Sequence, residues 1–138
     1  MTEQLLLRDA TVQDIQLELL RRSSFNALDG ERVCASLAKH RAFWLAVLLD
    51  RPGLPNYAEP GHLLMSGLIK LRDLPDNIWN ADTLYVLTPT HDAANQLARA
   101  IEEEDWGGET RVYNEQKEID RALGTGREDF GLLSVWWD

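Results

Sequence analysis

The stretch TLYVLT, residues 83–88, decides the predicted fold of this chain. Apolar side chains occur at successive positions and therefore lie on both faces of the strand. This pattern is typical of a central parallel strand that helices cover on both sides. The segment that follows has an apolar stripe at helical spacing, formed by Ala94, Leu97, Ala98 and Ile101. Two glycines at positions 107 and 108 end the predicted helix.

The same alternation of strand and helix continues along the C-terminal part of the chain. A strand is predicted at residues 110–113, then a helix with Ile119, Ala122 and Leu123 on its apolar side, then a strand at residues 132–137. Strands that alternate with helices are usually parallel and joined by right-handed crossovers. The predicted fold class is therefore α/β, with N-terminal helices followed by a β-α-β-α-β parallel-sheet unit and helices packed on the sheet.

These patterns also predict which side chains lie inside the protein. The core of the unit is expected to contain Leu84, Val86, Leu97 and Ile101. Because neighbouring residues of a strand point to opposite faces, Trp136 and Trp137 are expected to separate, with one ring turned outward unless a helix covers it.

The N-terminal half is expected to be mainly helical. Thr11 is a good N-cap for a first helix that ends near Arg22, and the stretch Asp29-Gly30-Glu31 opens a second one. Residues 42–49, from Ala42 to Leu49, are eight consecutive apolar residues, so their periodicity fits a buried strand or a buried helix end. Leucine and alanine outnumber β-branched residues there, which favours helix.

Three prolines lie near the middle of the sequence. They predict a long exposed loop at residues 53–61, and a third helix is predicted at residues 63–71, stopped by the Leu74-Pro75 pair. The chain has 138 residues, 44% of them apolar, which suits one globular domain over residues 1–138.

Two features indicate a cytoplasmic protein. Cys34 is the only cysteine, so no disulfide can form within the chain, which suits a reducing compartment. The first residues lack the basic and apolar pattern of a signal peptide, and the longest apolar run is far shorter than the roughly 20 residues that span a bilayer. We therefore expect no membrane association.

The net charge of −9 is concentrated in one half of the sequence. Residues 1–70 contain eight basic and eight acidic residues, whereas residues 71–138 contain six basic and fifteen acidic ones. A negative field repels nucleic-acid phosphates and anionic lipids, and it attracts positively charged partners. Nucleic-acid binding is therefore not expected, and a basic protein partner is.

Signatures of cofactor and catalytic sites are missing from the sequence. No phosphate-binding glycine loop and no G-x-S-x-G nucleophile motif occurs. The three histidines, His40, His62 and His91, lack the spacing of a zinc motif, and Cys34 lies in an apolar helical stretch where a thiol is inert. No metal, cofactor or catalytic residue is therefore predicted.

The first candidate binding site lies at the end of the helix that follows TLYVLT. It consists of Glu102, Glu103, Glu104, Asp105 and Trp106. The helix dipole disfavours negative charge at this end, so folding alone does not require the acidic run. The run is interpreted as a surface for a basic partner, with a solvated helix end as the alternative.

The second candidate site lies where that helix begins. Ligands of open α/β sheets bind at the carboxyl ends of strands, beside helix N-termini. The residues there are Thr88, Thr90, His91 and Asp92, with Asn114 at the end of the next strand. The alternative, which the residue types favour, is that one threonine caps the helix and Asp92 interacts with its dipole.

These observations favour one function over another. The first hypothesis is a non-catalytic protein-interaction module, an inhibitor, immunity or antitoxin-like protein for a basic partner. The alternative is a small-molecule-binding or enzymatic α/β domain with its site from Thr88 to Asp92. A flat acidic surface with an exposed aromatic ring would favour the first, and a pocket with convergent polar groups the second.

Overall fold

The computed structural model describes residues 5–49, 73–123 and 129–137. The helices in these ranges are α1 (Val12–Arg21), α2 (Gly30–Lys39), α3 (His91–Glu103) and α4 (Gln116–Leu123). The strands are β1 (Ser24–Phe25), β2 (Leu28–Asp29), β3 (Ala46–Leu48), β4 (Thr83–Thr88), β5 (Glu109–Tyr113) and β6 (Gly131–Trp136). Short 3-10 helices lie at Leu7–Asp9, Arg41–Phe43 and Leu74–Asp76. The predicted loop at 53–61, helix at 63–71 and glycines 124 and 126 lie outside the described residues.

The first two helices begin where their capping residues predict. The Thr11 hydroxyl accepts a hydrogen bond from the Asp14 amide at 3.0 Å, and the Asp14 carboxylate accepts one from the Thr11 amide at 2.9 Å. This reciprocal pair satisfies two amides that a helix N-terminus leaves free. Asp29 caps α2 through the amide of Arg32. Both helix predictions are therefore confirmed.

Residues 42–49 do not continue α2, so the favoured helix prediction is wrong. After the short 3-10 helix Arg41–Phe43 the chain becomes extended, and β3 pairs antiparallel with β4. The pairing turns Val47 into the core, where 1% of it is exposed, while Trp44 is buried just before the strand. Pairing with β4 outweighs the helix propensity of leucine and alanine.

The larger sheet has the strand order β3-β4-β6-β5, and each neighbouring pair is antiparallel. The predicted parallel-sheet β-α-β-α-β unit is therefore wrong. β4 and β5 point in the same direction, because both run antiparallel to β6. The helix α3 connects them along the chain, but in the sheet β6 lies between them. The last connection, through α4, returns the chain to the end of the sheet where β5 finished, because antiparallel neighbours need no crossover.

The sheet has apolar groups on both faces. One face packs against α1, α2 and α3 in a large core that includes Leu84, Val86, Leu97 and Ile101, each at most 2% exposed. The other carries a smaller cluster composed of Tyr85, Tyr113, Leu132 and Ile119. The four predicted core residues are confirmed, as is the separation of the terminal tryptophans: Trp137 is 1% exposed and Trp136 is 44% exposed.

Side chains of α1 close the outer edge of β3. The Gln13 amide accepts a hydrogen bond from the Val47 N–H at 2.8 Å and donates one to the Val47 carbonyl at 3.1 Å. Gln16 accepts another from the amide of Leu49 at 3.2 Å. A primary amide has the same donor and acceptor groups as a peptide unit, so Gln13 acts as one residue of an additional strand. Both backbone groups of Val47 are thereby hydrogen-bonded.

Replacing Gln13 with alanine is expected to lower the free energy of unfolding by about 1–2 kcal/mol, because two partly buried backbone groups of Val47 lose their partners. Urea denaturation measures the loss. Gln96→Ala is the control, since among the described residues the Gln96 side chain bonds only the exposed carboxylate of Asp92. Its change is expected to stay within about 0.5 kcal/mol. Equal effects of the two variants would show that the edge bonds contribute nothing.

Candidate functional site

The acidic run lies where the end of α3 meets the end of α2. Glu102, Glu103 and Asp105 are exposed, whereas Glu104 is partly buried. Trp106, the last residue of the predicted site, is only 2% exposed. The five residues are therefore close in space but divide into a surface group and a structural group.

Glu104 belongs to the structural group because α2 supplies its partners. Nε2 of His40 is hydrogen-bonded to its carboxylate, and Nζ of Lys39 lies 3.8 Å from Oε1. The hydrogen bond from His40 is the main reason that the pKa of Glu104 is lowered, with smaller contributions from Ser36 and Lys39. Arg32 of α2 also donates to the backbone carbonyl of Glu104. Cationic groups of α2 thus offset the unfavourable charge at this helix end.

Trp106 holds three parts of the core together. Its indole N–H donates to the hydroxyl of Ser36 at 2.9 Å, and its carbonyl accepts a hydrogen bond from the indole of Trp137 at 2.8 Å. Positive φ angles at Asp105 and Gly107 turn the chain on either side of it. Since its ring is buried, Trp106 does not offer an aromatic surface to a partner.

An open cleft of about 500 Å³ separates α2 from the end of α3. Among the residues that line it are Arg32, Ser36, Lys39, Glu103, Glu104 and Trp106. Two cations and two carboxylates share this space, so the cleft has no strong preference for a ligand of one charge. Of these two carboxylates, Glu103 is also exposed, as are Glu102 and Asp105 beside it.

The structure places the residues of the second candidate site at one end of the sheet. The Thr88 hydroxyl donates to the carbonyl of Thr90 at 2.7 Å, and the Thr90 hydroxyl caps α3 by accepting from the Ala93 amide at 3.0 Å. A Cβ atom on Gly131 would lie 2.3 Å from the Thr88 hydroxyl, so no ligand fits between them. Both threonines therefore serve the fold.

The polar residues beside these threonines are also engaged. His91 Nε2 lies 2.8 Å from Oε1 of Gln116, the first residue of α4, and the Asp92 carboxylate accepts a hydrogen bond from Gln96. Asn114 is exposed. The topology thus brings His91 to the beginning of α4, and the contacts formed there join two helices.

A second groove, which the sequence patterns did not indicate, lies beside the β1–β2 hairpin. It has a volume of about 700 Å³, and Arg21, Arg22 and Asn77 are among its lining residues. Both arginines bond the carboxylate of Glu18. The hydrogen bond from Arg21 is the main reason that the pKa of Glu18 falls to about 2. Because these guanidinium groups are already paired, the groove does not form an anion site.

Cys34 has the environment of a structural thiol. Its Sγ atom lies 3.4 Å from the carbonyl of Leu17, and burial raises its pKa to about 11. A thiol with such a pKa contains almost no thiolate at neutral pH, and the thiolate is the nucleophile. The expectation of low reactivity at Cys34 agrees with this environment.

Replacing Glu104 with glutamine is expected to lower the melting temperature at neutral pH, because the contacts with His40 and Lys39 lose their charge. The pKa of Glu104 is lowered in the folded state, so its stabilisation is fully present above the ordinary value of 4.5 and is lost as the pH falls through the folded value. Melting curves of the two proteins are expected to converge in acid. Glu103→Gln, at an exposed neighbour, is the control, and a pH-independent difference for Glu104→Gln would contradict the assignment.

Comparisons with known proteins supply no functional assignment. No family model, curated protein or solved structure matches the chain. Within the part of the chain that the structure describes, no helix has the length and apolar character needed to cross a membrane, and no three metal-ligating side chains come together. Function has to be inferred from the contacts and charges of the described residues.

Proposed function

We propose that this chain is a non-catalytic protein-interaction module that recognises a basic partner through the end of α3. The observation that carries the proposal is the division of the acidic run. Glu104 is used by the fold, whereas Glu102, Glu103 and Asp105 are exposed and have no cationic partner among the described residues. Carboxylates that oppose a helix dipole without a compensating contact cost stability, and recognition of a positive surface is a reason to keep them.

An exposed aromatic ring near the run supports the same proposal. Trp136 lies on β6, an inner strand of the sheet, and is 44% exposed. Its partner across the strands is Glu109, the first residue of β5, which follows Asp105 by four positions. Tryptophan is enriched among the residues that dominate binding energy at interfaces. Trp136 is therefore a better anchor than the buried Trp106.

The kind of partner follows from the charge. A negative surface accelerates association with positively charged proteins and disfavours nucleic acids and anionic membranes. An inhibitor, immunity or antitoxin-like role in the cytoplasm would use such a surface. A ligand site from Thr88 to Asp92 has less support, because hydrogen bonds within the fold already occupy its two threonines and His91.

The double variant Glu102→Gln, Glu103→Gln tests this proposal. Removing two charges that oppose the dipole is expected to leave stability equal or higher by a few tenths of a kcal/mol at low salt. Association with a partner captured from cell lysate is expected to slow, with a smaller change in dissociation, because exposed charges act mainly by steering. Stopped-flow or surface-based kinetics at several salt concentrations measure both rates.

The matched control removes two exposed carboxylates from other elements, with Asp9→Asn and Asp76→Asn. It changes the net charge equally but leaves the end of α3 intact. Association that slows equally in both double variants would mean that only total charge matters. Association of the α3 variant at the parental rate at low ionic strength would refute a recognition role for the run.

A further inference from the structure

The two edges of the larger sheet differ in how their backbone groups are satisfied. β3 forms one edge, where Gln13 and Gln16 bond the outward groups. β5 forms the other. The register shows which groups of β5 point outward. The N–H of Trp137 bonds the carbonyl of Asp82, which precedes β4, so the odd-numbered residues of β6 direct their N–H and C=O groups to β4. The even-numbered ones therefore bond β5.

It follows that Glu109, Arg111 and Tyr113 direct their backbone groups to β6, whereas Thr110 and Val112 direct theirs outward. No described residue supplies a hydrogen-bond partner to the N–H or C=O of these two outward residues. Within the described ranges, the edge of β5 thus presents an open row of donors and acceptors. An edge of this kind is a template for one more strand.

We propose that the outer edge of β5 binds an extended, positively charged peptide segment of the partner as an added strand. This inference rests on the proposed function for the nature of the partner, and it adds the mode of binding. Main-chain hydrogen bonds from Thr110 and Val112 supply the affinity, and the surrounding charge selects a basic segment.

The charge around β5 favours a basic occupant. Residues 102–120, which include β5 and its flanking segments, contain eight acidic and two basic residues, a net charge of −6. One of the two basic residues, Arg111, is already engaged: its guanidinium lies 3.2 Å from the Glu118 carboxylate and 4.4 Å from the centre of the Tyr113 ring. Glu109 remains exposed at the beginning of the strand.

The same strand disfavours a second copy of this chain as the occupant. If two β5 strands paired antiparallel through Thr110 and Val112, the symmetry would place Arg111 directly opposite Arg111 of the other copy. Like charges that face each other across strands are destabilising. Each copy also carries a net charge of −9, so the approach of two copies is opposed over a longer range.

Amide hydrogen exchange measured by NMR on the full chain tests this inference. The probe is a capped peptide of alternating lysine and threonine, roughly eight residues long to match a strand. At saturating peptide the exchange rates of the Thr110 and Val112 amides are expected to fall by a factor of about ten or more. The amides of Arg111 and Tyr113 are already hydrogen-bonded to β6, so their exchange rates are expected to change little.

Two controls separate strand addition from general attraction of charges. The same peptide with an N-methyl group on every residue keeps its charge but has both of its edges blocked, so it cannot pair and is expected to give no protection. A peptide of alternating glutamate and threonine is expected not to bind. The Thr110→Pro variant removes an outward N–H without breaking the ladder to β6, so it is expected to weaken binding of the lysine peptide, whereas Thr110→Val is not.

The outcomes distinguish this inference from the proposed function. Protection of Thr110 and Val112 that survives Glu102→Gln, Glu103→Gln would support strand addition even if the acidic run has no role. Unchanged exchange at β5, or equal binding of the N-methylated peptide, would refute strand addition. If partner association still depended on Glu102 and Glu103 in that case, the interaction function would stand and β5 would be an ordinary charged edge.

Discussion

Replacing Leu97 with alanine is expected to lower the free energy of unfolding by about 2–5 kcal/mol. Leu97 is fully buried in α3 and packs in the large core cluster against the sheet. Truncation removes apolar contacts and leaves a cavity in the core between α3 and the sheet. Urea denaturation followed by circular dichroism measures the loss.

Asn95→Ala is the control for Leu97→Ala. Asn95 is exposed on the same helix, so its replacement keeps helix propensity favourable and removes no core contact. Its effect is expected to lie within about 0.5 kcal/mol. A loss of less than about 1 kcal/mol for Leu97→Ala would show that the helix face is assigned incorrectly.

Replacing Gly30 with alanine is expected to destabilise the protein by about 3 kcal/mol or more. A Cβ atom at this position would lie 1.8 Å from the carbonyl oxygen of Leu20 and 2.8 Å from that of Ser23. Both obstacles are backbone atoms at the end of α1, so they cannot rotate away. Because alanine has the higher helix propensity, any loss of stability in this variant reports the collision and not the helix.

Thermal denaturation compares Gly30→Ala with Glu31→Ala, a change at the next residue of α2, whose side chain is exposed. The Glu31 variant loses an exposed ion pair with Arg21 and an exposed carboxylate in the first turn of α2, and each contributes little. A parental melting temperature for Gly30→Ala would mean that α1 and α2 are not in the close contact seen at this position.

The positions of the C-terminal strands were predictable from sequence, but their directions were not. Apolar residues on both faces of residues 83–88 indicate an inner strand with both faces covered, and that condition holds for β4. It holds equally in parallel and antiparallel sheets. Which strand takes the place beside β4 depends on long-range pairing, and no local signal in residues 131–136 shows that they insert between β4 and β5.

The edge strand β3 shows a similar limit. Its sequence is consistent with a helix, and what makes it a strand is pairing with β4 on one side and with the glutamine side chains of α1 on the other. Gln13 and Val47 are 34 positions apart in the chain. Two glutamines on one helix are a common pattern, so they give no sequence signal for this contact.

For the candidate site, the sequence located the acidic run but could not assign its members. Glu104 differs from Glu103 only because His40 and Lys39 lie against it, and His40 is 64 positions away. The sequence places Trp106 with the surface residues, because an aromatic ring beside carboxylates is typical of an interface anchor. Its hydrogen bond to Ser36, 70 positions away, shows instead that it faces the core.

The insertion of β6 between β4 and β5 has a consequence for biosynthesis. On the ribosome, β4, α3 and β5 emerge before the strand that pairs with both of them. Until residues 131–136 have been synthesised, β5 and the largely apolar β4 have no neighbour on their facing sides, and such edges favour aggregation. The nascent chain therefore has to delay closure of its sheet, and its dense negative charge would keep unfinished chains apart during that interval.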